Sequence, residues 1–343
     1  MHHNVSCSSS KESYHMFYAP VQDEMEQVEN LLQSIICSND MFTDRVTRYG
    51  FQLSGKRMRP ALLLLFGRTL GNILPIQIQL AAAAELFHSA SLAHDDVLDE
   101  SEQRRHLPTV NQLWNNETSV LLGDFLVARA IRQVTSLGNP DISHSFAKMS
   151  CRLCEGEMRQ VGSRGNYHLT EEEYRKIISD KTASLFECVC YLGVYTALSQ
   201  EMSDEEKQKN ELVRAASTFG HHLGMAFQIV DDLLDISGDE NSMGKSLGTD
   251  LEKQKMTLPM IYFLKRLSVK EKEDFIFQLQ HSFSPELRLK IRDQFMENGI
   301  LEEVRLAAEA HLAQAESELQ KFPVSAARDA LCAINRFVLQ RNK

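Results

Sequence analysis

The run Leu80-Ala81-Ala82-Ala83-Ala84-Glu85-Leu86-Phe87-His88-Ser89-Ala90-Ser91-Leu92-Ala93-His94-Asp95-Asp96-Val97-Leu98-Asp99 decides how this chain folds. Its apolar residues recur at helical spacing, and it carries few charges before Asp95. A helix apolar nearly all round lies inside a large bundle rather than on a surface. The run ends on the acidic pentapeptide Asp95–Asp99, and a second, Asp231-Asp232-Leu233-Leu234-Asp235, follows 136 residues later. At ordinary aspartate frequency a chance D-D-x-x-D is expected ~0.07 times in a chain of this size. On a helix, residues i and i+4 share a face about 6 Å apart, so Asp95 pairs with Asp99 and Asp231 with Asp235. Such pairs repel unless a cation sits between them. Two of them in apolar surroundings point to a pocket for several Mg²⁺ ions and the anion those ions hold.

Outward from this run the helical pattern continues. Apolar residues recur at helical spacing through 28–36, 59–70, 120–134, 174–198, 212–236, 257–267 and 304–319. Glycine- and proline-bearing segments at 71–72, 138–140, 162–166 and 238–248 mark loops, and 201–211 reads as a charged connector. No composition break separates a second domain. The expectation is an all-α fold: one bundle of ten or more helices around a central cavity over residues 21–343, after a disordered tail at 1–20. A net charge of −10 without a long basic run argues against nucleic acid. Seven cysteines with no secretory signal read as reduced thiols, and no apolar run approaches a membrane span.

Cations accompany the acids. Gly55-Lys56-Arg57-Met58-Arg59-Pro60 places three of them within four residues, and Arg104-Arg105 follows the first motif on what reads as a helix end. Lys181-Thr182 precedes an apolar stretch, Phe227-Gln228 precedes the second motif, and Lys245 and Lys255 follow it. Acidic metal clusters interleaved with cations describe a site for phosphorylated substrates, where both neutralise a leaving diphosphate.

These segments, with Gly123-Asp124, Gly156-Glu157 and Lys181–Leu185, resemble the trans-type isoprenyl diphosphate synthases. The likeness runs from about Met25 to the C-terminus, and 88–99 is most similar to long-chain polyprenyl synthases that make quinone side chains such as that of ubiquinone. The resemblance implies the isoprenoid-synthase bundle and about three Mg²⁺ ions per active site. Asp95 and Asp99 would ligate two and Asp231 a third, with Asp232 and Asp235 helping through water and Asp96 completing the metal set. It gives Arg104, Lys181 and Lys245 to the allylic diphosphate, and Lys56, Arg59, His88 and Arg105 to isopentenyl diphosphate. Thr182 and Gln228 would steady the allylic cation, and the diphosphate would take the final proton. The family commonly has glycine before the second lysine of the late loop; Gln254 stands there, which leaves the role of Lys255 open. A homodimer through the helices after Gly123 is implied, with a heteromer of related subunits as the other arrangement. So is peripheral membrane contact for product release, in the mitochondrial matrix of a eukaryote or otherwise the cytoplasm.

Chain length reads from the helix before Asp95, along which Ala84 lies about 16 Å down. Ala90 and Ser91 are small where relatives making short products carry an aromatic, which leaves the path open; Phe87 is either a lower floor or a core aromatic. The alternatives are a farnesyl or geranylgeranyl synthase or one subunit of a heteromer. Terpene cyclases are disfavoured because they lack a second aspartate cluster. A di-iron bundle is disfavoured because Glu85-x-x-His88 has no counterpart near the other acidic helix.

Overall fold

The computed structural model describes residues 17–53, 55–198, 202–237, 248–281 and 284–340. Most of the expected tail and Lys245 therefore lie outside the described residues. The chain is already docked from Phe17, however. That ring meets Phe337 at 5.2 Å, and Tyr18 donates its hydroxyl to the Lys56 carbonyl at 2.8 Å.

The longer helices are α1 (Gln22–Ile36), α2 (Met41–Gln52), α3 (Met58–Arg68), α4 (Pro75–Leu98), α5 (Asn116–Thr135), α6 (Pro140–Gly162), α7 (Glu171–Ile178), α8 (Ser184–Ala197), α9 (Glu211–Ser237), α10 (Leu258–Arg266), α11 (Val269–His281), α12 (Pro285–Glu297), α13 (Ile300–Leu319) and α14 (Ala326–Gln340), with short helical turns at Val110–Leu113, Asp204–Lys209 and Thr249–Glu252. Starts follow local chemistry. Asp40, Asn115, Asn139 and Thr170 each accept a backbone N–H of the following first turn. Pro75, Pro140 and Pro259 occupy first-turn positions where their missing N–H costs nothing.

The centre is built as the opening run requires. From Leu80 to Phe87 every residue of α4 is buried, and α3 is buried from Pro60 through Gly67. The Phe66 ring meets Phe219 of α9 at 5.2 Å and Phe322 at 5.3 Å, both edge-on. Helix approach is close enough to exclude a methyl: a Cβ on Gly193 would lie 2.4 Å from the Leu63 carbonyl oxygen, and one on Gly220 2.4 Å from that of Phe186.

Two local features depart from expectation. The 174–198 stretch is not one helix: Ser179–Ala183 forms a π-turn between α7 and α8. Arg104-Arg105 is not on a helix end but in a two-stranded ribbon, β1 (Gln103–Arg104) paired with β2 (Leu107–Pro108). Arg105 and His106 take its turn at φ 55° and 64°. That tight hairpin turn normally calls for Asn-Gly, so the absence of Asn-Gly hid it. Among the described residues no helix is long and apolar enough to cross a membrane.

Candidate active site

Both acidic motifs sit at the C-terminal ends of helices, α4 and α9, where the helix dipole adds further negative charge. The ends face one cavity of about 350 Å³. Of the residues singled out in the sequence, Lys56, Arg59, His88, Ser91, Asp95, Arg104, Arg105, Lys181, Thr182, Gln228 and Asp231 line it.

The six aspartates divide. Asp95 and Asp231 face the cavity; Asp99 lies beside it, pairing with Lys255 at 2.8 Å and Arg164 at 3.1 Å. The other three are spent inward, against the expectation that they join the metal set. Asp96, 3% exposed, accepts from Arg104 Nε at 3.1 Å and Nη2 at 2.8 Å. Asp232 accepts from Tyr174 Oη at 2.7 Å and Gln228 Nε2 at 2.8 Å. Asp235 accepts from Thr249 Oγ1 and the Asp250 N–H, both at 3.1 Å, and so anchors the helical turn Thr249–Glu252. The i, i+4 argument thus holds on α4 but not on α9, where Asp235 turns into packing.

Electrostatics follow this division. Burial, then the Asp250 charge, pushes Asp232 up to about 8 despite its two donors. Burial also works against ionisation of Asp99, but Lys255, Lys181 and Arg164 more than offset it and hold the carboxyl below the usual range. Burial opposes the charge of Lys181 too, yet Asp95, Glu157 and Asp99 keep its ammonium above the ordinary value. Burial and then Arg59, Arg104, Arg57 and Arg105 hold His88 well below its usual pKa, so it is a neutral donor in a basic corner.

Thr182 donates to Gln228 Oε1 at 2.7 Å. The Asp232–Gln228 bond fixes the amide, and Thr182 keeps its oxygen lone pairs for another partner. Lys181 pairs with Glu157 at 2.6 Å and donates to Gln160 at 2.7 Å.

Several neighbours of the site are given no individual role by the sequence. Arg57 is held by Glu85 at 2.8 Å and Glu29 at 3.0 Å, over the Phe51 ring. Arg164 is brought in by a loop and Asp250 by the single helical turn Thr249–Glu252, both too short to carry a periodic signal. Lys255, left open by the sequence, is in the site: it bridges Asp99 and Asp250, the latter at 3.4 Å. Gln254 adopts φ 53°, the left-handed conformation a glycine favours, and its carbonyl accepts from the Gly165 N–H at 2.9 Å. Strain of this kind costs on the order of 1–3 kcal/mol. Gln254→Gly is therefore expected to raise stability by about 1 kcal/mol with activity unchanged, read from urea midpoints. A lower midpoint means the glutamine side chain contributes more than its backbone costs.

Phe87 and Ala90 do not line the cavity. Phe87 is buried and meets Phe146 of α6 edge-on, with ring centroids 5.6 Å apart, while Ala90 is wholly buried in helix packing. Ser91 alone of the three chain-length candidates faces the space.

Carboxylates at two helix ends facing a cluster of cations define an all-α synthase that handles diphosphates. The chain belongs to the polyprenyl synthetase family, whose family model matches residues 41–289. It is 33% identical over 325 residues to the all-trans-nonaprenyl-diphosphate synthase (geranyl-diphosphate specific) of Rhodobacter capsulatus, covering 94% of this chain and 96% of that one. It is 35% identical to heptaprenyl diphosphate synthase component 2 of Geobacillus stearothermophilus, over 74% of this chain and 76% of that one. The polyprenyl synthase of Caulobacter crescentus, solved with calcium and isoprenyl diphosphate, superposes with a TM-score of 0.88 at 28% identity, covering 99% of this chain and all of that one. The family is one of Mg²⁺-dependent prenyltransferases, and this chain is an enzyme of that kind.

Proposed function

We propose that the chain adds isopentenyl diphosphate repeatedly to an allylic diphosphate and releases a long all-trans polyprenyl diphosphate of the kind used for quinone side chains. The observation that carries the reading is the single cavity on which Asp95 and Asp231 converge with Lys56, Arg59, Arg105 and Lys181.

Among the described residues no group of three or more His, Cys, Asp or Glu forms a ready-made cage. Mg²⁺ does not require one: it keeps several waters and takes one or two carboxylates plus substrate phosphates. Asp95, Asp99 and Asp231 supply such hard oxygen donors. Bound there, the cations neutralise charge that builds on the leaving diphosphate.

The side chains carry the rest. Lys181 and Arg104, the latter oriented by Asp96, hold the allylic diphosphate. Lys56, Arg59, Arg105 and neutral His88 hold isopentenyl diphosphate. The allylic C–O bond breaks, and the lone pairs of Thr182 with the dipole of Gln228 face the resulting cation. The isopentenyl double bond attacks its C1, and the released diphosphate removes the proton that restores a double bond.

A homodimer accounts for the exposed apolar residues on two adjacent helices. Leu121 and Ile131 of α5 and Met158 and Val161 of α6 lie on the surface, with Cys151 and Cys154 on the same helix as the latter pair. Activity of the purified chain alone tests this; activity only after a related subunit is added supports the heteromer.

The deciding experiment incubates the chain with farnesyl diphosphate, isopentenyl diphosphate and Mg²⁺ and sizes the products. Each added unit buries five carbons, worth up to ~4 kcal/mol, so products are expected to be long and turnover to rise with detergent. A single condensation, or turnover indifferent to detergent, contradicts the long-chain reading.

A further inference from the structure

Asp180 immediately precedes Lys181, and none of the chemistry above uses it. The side chain is wholly buried, 0% exposed. A carboxylate in that position carries a large desolvation penalty unless cations surround it. Three do: Arg152 Nε at 3.1 Å and Arg159 Nη1 at 2.5 Å, both from α6, and Lys176 Nζ at 3.0 Å from α7. Its carbonyl accepts from Ser184 Oγ at 2.6 Å.

Asp180 lies in the π-turn Ser179–Ala183. Turns of this kind insert one extra residue into a helix and are frequent at functional sites. Here the turn sends Lys181 to Glu157 and Gln160 on α6 while the next residue, Thr182, reaches Gln228 on α9. The space is fitted on both sides. A Cβ on Gly156 would lie 2.4 Å from Lys181 N, and one on Gly224 2.6 Å from Ala183 Cα. Helix α6 therefore grips the turn twice, at Asp180 through its arginines and at Lys181 through Glu157 and Gln160.

We infer that Asp180 is a positioning residue for prenyl transfer: held by Arg152, Arg159 and Lys176, it fixes the widened turn that sets Lys181 and Thr182 against the cavity. This rests on the roles proposed above for Lys181 and Thr182.

Asp180→Asn keeps the side chain's size and removes the charge that gathers the three cations. A displacement of the reacting groups by about 1 Å costs on the order of 10²-fold. The expected result is a fall in kcat of about 10- to 100-fold, with KM for isopentenyl diphosphate within about twofold and the circular dichroism spectrum unchanged. In a Lys181→Ala/Thr182→Ala background the same change alters kcat by less than about twofold, because the groups it positions are gone. Wild-type kcat in the single variant, or equal falls in both backgrounds, overturns the inference. Should Asp180→Asn fail to fold, Arg159→Gln at the half-exposed rim is read in the same two backgrounds. Its expected fall is smaller, about threefold, again confined to the intact background. If the Lys181→Ala/Thr182→Ala enzyme is fully active, the reading of the site itself fails. If that enzyme is inactive and Asp180→Asn is wild type, only the role of Asp180 fails.

Discussion

Asp95→Asn lowers the rate of prenyl transfer by about 10²- to 10³-fold, as loss of one group stabilising developing charge does elsewhere. The substitution changes one oxygen to an amide on the cavity wall, so the loss reads as chemistry. Stability is expected to hold or rise. Behind burial, the Asp95 charge is among the causes that push Asp96 and Glu157 upward, and an amide removes that repulsion, partly offset by the attraction to Lys181 that goes with it. The helix dipole at the end of α4 acts in the same direction. Sites that gather like charge commonly trade stability for function in this way. Single-turnover transfer of labelled isopentenyl diphosphate, beside a thermal melt of the same sample, checks both parts. Near wild-type transfer would remove Asp95 from the metal set; a melt several degrees lower would make it a structural residue.

The second large effect is on product length. Ser91→Phe places a ring directly in the cavity, one turn below Asp95, and is expected to cut the product to a few isoprene units. Ala90→Phe, which the sequence favours equally, meets close packing instead and is expected to cost stability, since overpacked cores lose about 1–3 kcal/mol. Phe87→Ala acts the other way. An edge-to-face pair such as Phe87–Phe146 is worth about 0.5–1.5 kcal/mol beyond its buried area. Burial of one more isoprene unit offers up to ~4 kcal/mol, so a growing chain has enough free energy to displace the pair. If the product grows along α4, the pair would slow elongation without stopping it. Removing one ring is expected to shift products longer by one or more units, and Phe146→Ala should do the same. Products sized by reversed-phase chromatography decide: an unchanged ladder in both phenylalanine variants makes the pair core packing alone.

What the sequence disclosed depended on how strongly each element's burial was written into it. α3, α4 and α9 were legible because burial on most sides leaves few charges to blur the period. α6 was not, though loops were read on either side of it. Its inward residues, Ile142, Phe146, Met149 and Gly156, are sparse among charged and polar ones. The site divided along the same line. Types and spacing exposed the acids and the cations, because both are improbable in apolar context. Which aspartates face inward could not be read, since Asp235 and Asp231 differ only in what the following loop presents to them. The hairpin at Arg105-His106 and the bend at Gln254 were hidden because non-glycine residues occupy positive-φ positions there. Both border the site, where strain is retained for the geometry it gives.

α4 is one continuous helix that holds Asp95 at its end and Ser91, Phe87 and Ala84 at successive depths below. Because the helix is buried all round from Leu80 to Phe87, exchanging a side chain several turns down is expected to leave the position of the carboxylates nearly untouched. Product size can then drift through single substitutions during descent while the reaction stays under constant selection. A lineage can thus acquire a membrane carrier of new length without passing through an inactive ancestor.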